Sequence, residues 1–427
     1  MNAVTATPDS TPTLSGDERA VLDGERGPAR QLAMRIVVRM ARILGARDLV
    51  PVTSAHIDGC LYHGDGGVEF AERLVSLGGK VDVPTTLNVG ALDLLNPRRV
   101  RSAGHRREMA FRQMRAYEAL GCRPTWTCAP YQAGHRPERG QDVAWGESNA
   151  VVFANSVLGA RTNRYGDFMD ICCALAGRAP RTGLHLQENR WATVVVDTGA
   201  INPALKERDV FYPVLGTWLG ATVDERVAVV TGLPGTATED QLKAMGAASA
   251  SSGAVGLFHV EGVTPEAPDL ATALGGQAPK TVLTPGAHEL RRVRDALSTT
   301  GTAQLDAVAL GSPHFSRDEF SLLEALLTHE PFRIPFYVCT GRAEYQRLET
   351  SGRLRRFEEA GVEIVADTCV VVAPILPARG SVLMTNSGKF AHYTPATTGY
   401  DVVYGSLEDC VRSAATGRVT RDEGLWS

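Results

Sequence analysis

The sequence predicts an α/β protein built from several parallel β-sheets that are wound with helices. Three observations support this fold class. The chain has 427 residues, which is too many for one ordinary hydrophobic core. Short apolar runs alternate with segments of helical periodicity. Polar loops containing glycine follow several of the apolar runs, which is where α/β proteins place their ligands. Two or three domains are therefore expected.

The composition is that of a globular protein, with 44% hydrophobic and 22% charged residues. A net charge of −4 without a long basic run argues against nucleic acid or an anionic membrane as a partner. No apolar segment has the length of a membrane span. The N-terminal segment lacks the features of a secretory signal, so residues 1–13 are expected to form a disordered lead.

Eight cysteines in a chain without a secretory signal indicate reduced thiols and a cytoplasmic location. The sequence has no CxxC motif, which argues against a zinc ribbon or thioredoxin chemistry. The scattered thiols are therefore either inert buried residues or cluster ligands that come from distant loops.

The first domain is expected to span residues 14–195 and to contain the candidate metal-binding and substrate-binding loops. Ser15 and Glu18 have the spacing of a helix capping box. Apolar periodicity then predicts a helix, a strand, a helix and a strand in that order, at residues 30–44, 49–53, 70–77 and 81–83. Basic residues between 98 and 115 are assigned to the solvated face of another helix.

The character of the chain changes after Arg190, and we expect a middle α/β domain at 196–300 and a C-terminal α/β domain at 301–427. Apolar runs predict strands at 193–196, 228–230, 255–259, 307–310, 335–339 and 362–366. Helical spacing and caps predict helices at 239–250, 316–327, 343–348 and 407–419. Such alternation is typical of parallel sheets.

The first chemistry-bearing segment, SAHIDGCLYHGDGG, follows the strand expected at 49–53. It carries five reactive side chains: His56, Asp58, Cys60, His63 and Asp65. A polar turn with one satisfied histidine is the simpler interpretation, but so many reactive groups favour a site. His56 is the leading candidate for a proton acceptor because imidazole titrates near working pH, with His63 and His314 as alternatives.

Two further segments supply candidate substrate ligands. The PTTLNVG segment carries Thr85, Thr86 and Asn88, which could bind a carboxylate or form a turn. The stretch 121–167 has no overall helical or strand period, and its two thiols, Cys122 and Cys128, flank RPTWT. Polar side chains then alternate with small and apolar residues, at Ser148, Asn149, Arg161, Thr162 and Asn163. A polar loop with a buried thiol is the alternative.

In the second half, the segments GSPHFS, CTGR and DTC each end an expected strand, at 311–316, 339–342 and 367–369. Cys369 therefore lies at a sheet edge, where ligands collect. The following MTNSGKFAHY segment carries Asn386, Ser387 and Lys389. Lys389 is either a surface charge or a partner for a carboxylate.

The motifs PTWTCAPYQ, WGESNAVVFANSVLGARTNRYGDFMDICCALAGR and GLHLQENR resemble the catalytic large domain of the aconitase X family. The resemblance runs from residue 14 to residue 419, nearly the whole chain. The family comprises hydro-lyases with an iron–sulfur cluster. The resemblance therefore implies an aconitase-like fold, in which doubly wound parallel-sheet domains surround a cluster-containing cleft.

Dehydration beside a carboxylate needs a Lewis acid for the leaving hydroxyl and donors for the charge that develops. Strand-end positions and the resemblance together favour Cys60, Cys128 and Cys369 as cluster ligands, which would leave one iron open to substrate. Cys122 and Cys339 have weaker claims, whereas Cys172, Cys173 and Cys410 are assigned to the core. His56, Ser387 and Lys389 are the candidate catalytic residues. The candidate substrate ligands are Thr85, Thr86, Asn88, Ser148, Asn149, Arg161, Thr162, Asn163 and Asn386.

The resemblance implies one of two reactions. One branch dehydrates mevalonate 5-phosphate, and the other dehydrates cis-3-hydroxy-L-proline to an enamine that becomes 1-pyrroline-2-carboxylate. Trp126 and Ser312 stand where the first branch has cysteines, and Cys60 is present instead. The sequence therefore favours the hydroxyproline branch and a 2Fe–2S cluster, with 3Fe–4S and 4Fe–4S as alternatives. Arg161, Arg164 and Lys389 suffice for one carboxylate, whereas a phosphorylated substrate usually needs more basic residues.

The family's complete unit also includes a small swivelling domain, which nothing after Val419 could form. A separate small subunit that closes the site and supplies a serine as a proton-handling group is therefore expected, and without it we expect poor turnover. That serine is a further alternative to His56 as the proton acceptor. A non-catalytic iron–sulfur sensor or scaffold is a different class of function, but it predicts a basic surface or an appended module. A metal-free sugar- or amino-acid-binding protein is the remaining alternative, and it predicts a colourless chain.

Overall fold

The structure is a computed structural model that describes residues 11–102, 104–377 and 381–426. Within these residues the strands form four sheets, and the strand pairs are parallel except for one antiparallel pair. Helices pack against the sheets, which is the architecture of an α/β protein. The fold class predicted from the sequence is therefore confirmed. None of the described helices has the length and apolar character that a membrane crossing requires.

The first domain contains a three-stranded parallel sheet of order β3-β2-β4 and an antiparallel β1-β5 pair. The capping box at its start is formed, since the Ser15 and Glu18 side chains each accept the other's backbone N–H. Its elements are α1 (Gly16–Asp23), α2 (Pro28–Ile43), β1 (Leu49–Pro51), β2 (Ala55–Ile57), α3 (Asp65–Ser76), β3 (Thr85–Leu87), α4 (Gly104–Ala119), β4 (Ala144–Trp145), α5 (Ser148–Ser156), α6 (Met169–Ala176) and β5 (Arg178–Pro180). Short 3₁₀ turns lie at Pro130–Ala133, Gly183–His185 and Gln187–Asn189.

The middle domain is a four-stranded parallel sheet of order β8-β7-β6-β9. The first three residues of β6 and β7 are buried, as expected for a parallel sheet with both faces covered. Its elements are β6 (Val194–Asp197), α7 (Pro203–Lys206), α8 (Phe211–Val223), β7 (Ala228–Thr231), α9 (Glu239–Ser252), β8 (Phe258–Val260), α10 (Leu270–Ala273), β9 (Thr281–Leu283) and α11 (Ala287–Ala296).

The third domain is a five-stranded parallel sheet of order β12-β11-β10-β13-β14. Its central strand is interrupted between Leu310 and Phe315, and the freed segment carries Ser312 and His314 out of the ladder. The elements are β10 (Ala307–Phe315), α12 (Arg317–Leu326), β11 (Phe336–Thr340), α13 (Arg342–Thr350), α14 (Arg353–Glu359), β12 (Val362–Ala366), β13 (Val382–Thr385), α15 (Gly388–Thr398), β14 (Asp401–Tyr404) and α16 (Leu407–Thr416). A 3₁₀ turn at Gly424–Trp426 follows.

Two boundaries differ from the expectation. Residues 1–10 of the expected lead lie outside the described residues. Thr13 forms a β-bridge with Asp48, and its backbone N–H donates to the Arg47 carbonyl oxygen at 2.8 Å. Ordered chain therefore begins before residue 14. In addition, β6 pairs only within the middle sheet, so the expected boundary after residue 195 cuts through a strand of that sheet.

Candidate active site

The candidate site lies where the carboxyl ends of strands in the first and third domains face each other. Four contacts between the two domains define it. Gly90 N–H donates to the Asp367 carbonyl oxygen at 2.8 Å, and the Thr127 hydroxyl lies 2.9 Å from His314 Nδ1. His314 N–H donates to Cys128 Sγ at 3.3 Å. Lys389 Nζ lies 2.5 Å from Glu147 Oε1. Carboxyl ends of parallel strands are where α/β proteins bind ligands.

Lys389 is the cation at the centre of this group. It donates to Glu147 at 2.5 Å and to Asn149 Oδ1 at 2.6 Å, and Asn149 in turn donates to the Cys128 carbonyl oxygen at 2.8 Å. Burial alone would lower the pKa of Lys389, but Glu147 and Cys128 outweigh burial and raise that pKa above its ordinary value. Lys389 is therefore a permanent positive charge beside Cys128.

Cys128 and Cys369 each combine burial, which favours the neutral thiol, with hydrogen-bond donors that are directed at the sulfur. Burial raises the pKa of Cys128 to about 12, while Lys389 and the His314 N–H oppose that rise. Burial also raises the pKa of Cys369, against which act two backbone N–H groups, those of Val371 and Val372. Donors aimed at sulfur favour the thiolate, which is the form that binds metal. The two thiols also interact electrostatically with each other.

Cys60 has surroundings that differ from those of the other two ligand candidates. Its thiol donates to the Asn88 carbonyl oxygen at 3.3 Å and to that of Ile57 at 3.4 Å. Its thiol also interacts electrostatically with Cys122. Across the three described stretches of the chain, no group of three or more His, Cys, Asp or Glu side chains is arranged to hold a metal ion. The assignment of Cys60, Cys128 and Cys369 to one cluster therefore stays a prediction.

Asp58 and Asn88 form the edge of the site contributed by β2 and β3. The Asn88 side-chain amide donates to Asp58 Oδ1, and Asn88 Oδ1 is buried without a partner. Burial, followed by the charges of Glu147 and Asp167, raises the pKa of Asp58 to about 7. The unpartnered Asn88 oxygen can accept a hydrogen bond from a ligand.

His56 and Thr86 lie together behind this edge. His56 is completely buried, and its Nδ1 lies 2.9 Å from the Thr86 hydroxyl. Burial, with a contribution from His135, lowers the pKa of His56 well below the usual value. Its Nε2 has no hydrogen-bond partner. The Thr85 hydroxyl instead donates to the Val83 carbonyl oxygen at 2.8 Å, so it serves the local backbone.

Ser387, Asn386 and Ser148 lie at the rim of the site. Ser387 caps α15, since its hydroxyl accepts the Phe390 N–H at 3.1 Å and donates to the Ser312 carbonyl oxygen. Asn386 and Ser387 line a cavity of ≈ 30 Å³ between the middle and third domains. The Ser148 hydroxyl lies 3.5 Å from Glu147 Oε1.

The segment from Arg161 to Asn163 does not reach the site, contrary to expectation. Arg161 donates to the Gln187 side chain at 2.5 Å, and Asn163 bonds to the backbone of Thr182 and Leu184. The buried Thr162 hydroxyl accepts the Trp145 N–H at 3.1 Å. These polar groups brace the loops around β4, because their buried atoms need partners within the chain.

Sequence reasoning missed two groups of the site, Glu147 and the backbone N–H of His314, and it named Asp58 as a reactive side chain without giving it a role. Glu147 is buried and also caps α5 by accepting the Ala150 N–H at 2.7 Å. An acidic residue directly before an apolar helix was the available signal, but it predicts only a cap. The partner of Glu147, Lys389, lies 242 positions further along the chain.

Three parallel-sheet domains with a polar, thiol-containing site at facing sheet edges define an α/β protein that binds its ligand in an interdomain cleft. Family models for the first, second and third domains of aconitase X match residues 11–188, 192–295 and 305–416. Together these matches cover most of the chain. The chain belongs to the aconitase X family.

Curated relatives come from two groups of dehydratases. The chain is 44% identical to the cis-3-hydroxy-L-proline dehydratase of Pseudomonas aeruginosa, over 98% of this chain and 72% of the relative. It is 42% identical to the cis-3-hydroxy-L-proline dehydratase of Hypocrea jecorina, over 95% of this chain and 69% of the relative. It is 40% identical to the phosphomevalonate dehydratase large subunit of Methanothermobacter thermautotrophicus, over 93% of this chain and 98% of the relative. The crystal structure of Thermococcus kodakaraensis aconitase X in its holo-form matches with a TM-score of 0.84 and 34% identity, covering 94% of this chain and 100% of that one.

Proposed function

We propose that this chain is the large subunit of an iron–sulfur-dependent hydro-lyase that dehydrates cis-3-hydroxy-L-proline to 1-pyrroline-2-carboxylate through an enamine. The main support is the cluster of Lys389, Glu147 and Asn149 beside two thiols at facing sheet edges. A fixed cation with neighbouring amides suits a small imino acid, because the cation can pair with its carboxylate and the amides with its N–H groups. The identities to the two hydroxyproline dehydratases add to this support.

The proposed cluster ligands are Cys60, Cys128 and Cys369, with a 2Fe–2S cluster favoured over 3Fe–4S and 4Fe–4S. The backbone donors around Cys128 and Cys369 support two of these assignments. Cys60 would exchange its hydrogen bonds to the Ile57 and Asn88 carbonyl oxygens for a metal bond. When bound, the cluster supplies a Lewis-acidic iron for the departing hydroxyl.

The chain's own residues position the substrate and handle its protons. Lys389 pairs with the substrate carboxylate and stabilises the negative charge that develops beside it. Asn88 Oδ1, which has no partner among the described residues, accepts the substrate N–H. His56 is the proposed proton acceptor, because its Nε2 also lacks a partner and its ring is held neutral by burial. Burial of these groups excludes water and strengthens each contact.

A separate small subunit is the proposed partner. The archaeal relatives are named large subunits, and this chain covers 98% of the Methanothermobacter one. We propose that the partner closes the cleft over the site and supplies a serine. We also propose a cytoplasmic location, which the eight free cysteines support, because thiols stay reduced there.

Mevalonate 5-phosphate dehydration is the second candidate, since archaeal large subunits are up to 40% identical to this chain. Trp126 and Ser312 occupy the positions where that branch has cysteines, which favours the hydroxyproline reaction.

The test is anaerobic co-purification with the candidate small subunit, followed by assays on both substrates. We expect a coloured complex that converts cis-3-hydroxy-L-proline to 1-pyrroline-2-carboxylate. Turnover of mevalonate 5-phosphate alone would reassign the chain to the other branch. A colourless complex that turns over neither substrate would remove the hydro-lyase proposal.

A further inference from the structure

A single hydroxyl connects two histidines at the back of the site. Thr86 Oγ1 lies 2.9 Å from His56 Nδ1 and 2.7 Å from His135 Nδ1. Thr86 and His56 are buried, and His135 is half-buried. Trp145 packs against both imidazoles, with ring centroids 5.7 Å from His56 and 5.1 Å from His135. The two rings and the hydroxyl therefore form a continuous series of hydrogen bonds, which runs from the fully buried His56 to the less buried His135.

The hydroxyl has only one hydrogen, so it can donate to only one of the two rings. Among the described residues the partners of this hydroxyl are the two rings, so its hydrogen is used only if it donates to one ring and accepts from the other, which then carries its proton on Nδ1. Both rings are held neutral, because burial lowers the pKa of His56 and lowers that of His135 to about 4, with Arg123 adding to the second effect. The two histidines must therefore be opposite tautomers: where one has Nδ1–H, the other has Nε2–H.

The outer nitrogens of the pair are left without partners. His56 Nε2 and His135 Nε2 are both buried and make no hydrogen bond to any residue that the structure describes. A buried polar atom without a partner destabilises the folded chain, so a purely structural role does not account for two such nitrogens. Both ends of the chain of hydrogen bonds are available for proton exchange.

We propose that Thr86 and His135 are positioning residues that set the tautomer of His56 and take over the proton that His56 accepts. The inference rests on the proposed function, in which His56 Nε2 receives the substrate proton. The His56 Nδ1 proton then moves to Thr86 Oγ1 as the Thr86 proton moves to His135 Nδ1. His56 is left neutral with Nε2–H, and the positive charge lies on the less buried His135, where it is less unfavourable. The reverse transfer returns the proton to the departing hydroxide, which leaves as water.

The first test reads the tautomers directly and does not depend on activity. The full chain is labelled with ¹⁵N-histidine, and long-range ¹H–¹⁵N spectra assign ring protons, with His56→Gln and His135→Gln identifying the two signals. We expect one Nδ1–H and one Nε2–H ring in the wild type and in Thr86→Ser, and loss of the Nδ1–H ring in Thr86→Val. Thr198→Val is the matched control, since it removes an equally buried hydroxyl that bonds only to a backbone carbonyl of the middle domain. Two rings of the same tautomer in the wild type would overturn the proposal.

The second test uses the complex with the small subunit and cis-3-hydroxy-L-proline. We expect Thr86→Val and His135→Gln to lower kcat at least about 10-fold, which is less than the loss of a general base itself, with KM little changed. Thr86→Ser should recover most of kcat. Unchanged kcat in Thr86→Val with an active wild type would overturn the relay and leave the proposed function standing. An inactive wild-type complex would overturn the proposed function together with the relay's role, whatever tautomers the spectra report.

Discussion

The ion pair between Lys389 and Glu147 connects the first and third domains, so its removal tests whether the site is built as described. Replacing Lys389 by Met keeps the apolar stem but deletes the ammonium group. Glu147 would then remain in the interior with its Ala150 cap contact but without a counter-charge. The Glu147 side chain is only 6% exposed and that of Lys389 only 14%. This burial decides how much stability the substitution removes.

Removing one partner of a buried ion pair costs about 3–5 kcal/mol, whereas deleting an exposed pair costs about 0–1 kcal/mol. We expect Lys389→Met to lower the free energy of unfolding by an amount near the lower end of the range for buried pairs. For a domain of about 150–250 residues, a loss of about 3 kcal/mol in the free energy of unfolding corresponds to a decrease in Tm of roughly 6–12 °C. Glu147→Gln should also destabilise, because it leaves the ammonium without a counter-charge.

The assay is thermal unfolding of the two single variants and of the double variant Lys389→Met/Glu147→Gln, under identical conditions. The double variant leaves no unpaired charge, so it should be more stable than Lys389→Met alone. A decrease in Tm no larger than that expected for an exposed pair would refute the reasoning. So would a double variant whose loss equals the sum of the two single losses.

Three further predictions follow from individual contacts. Gly311→Ala should yield little folded protein, because Gly311 has φ +89° and a Cβ there would lie 2.0 Å from the Cys339 carbonyl oxygen. Gly301→Ala is the control, since a Cβ at Gly301 would have no atom within 4 Å. Equal yields and Tm values for the two variants would contradict this prediction. Arg342→Met should destabilise by about 3 kcal/mol, because it leaves the buried Asp367 carboxylate without its bidentate partner. That loss should be larger at pH 8 than at pH 5, since without Arg342 the buried carboxyl has a higher folded-state pKa and protonation relieves it at lower pH; a Tm difference that does not change with pH would argue against it. Cys122→Ser should keep the iron content of the wild type, because no donor of the proposed cluster is removed, and iron analysis of the anaerobically purified chain checks this.

The second half of the fold was predictable because its pattern is strong. The apolar run at 362–366 is a strand with the predicted bounds, and Ser316 and Glu319 form the capping box at the start of α12. The first half was harder. A strand was expected at 81–83, whereas β3 lies at Thr85–Leu87. Its two threonines had been interpreted as ligand-binding residues, and only pairing with β2 makes this segment a strand.

The candidate site was predictable only where chemistry coincides with a strand end. Cys369 and Lys389 follow that rule, because they come after β12 and β13. Cys128 lies in a loop that follows no strand, and it interacts electrostatically with Lys389. The segment from Arg161 to Asn163 has suitable residue types but turns away from the site and bonds to neighbouring loops. Composition cannot distinguish these outcomes, because the partner of each polar group is set by long-range packing. The pairing of Lys389 with Glu147 across two domains is the clearest example.

The central claim is that Cys128 belongs to an iron–sulfur site that dehydrates hydroxyproline. Its most direct test is the iron and sulfide content, with dehydratase activity, of the complex purified anaerobically with Cys128→Ser beside the matched variant Cys122→Ser. The account predicts that Cys128→Ser folds but loses iron, colour and 1-pyrroline-2-carboxylate formation, while Cys122→Ser retains all three. A Cys128→Ser complex with the iron content and activity of the wild type would contradict it.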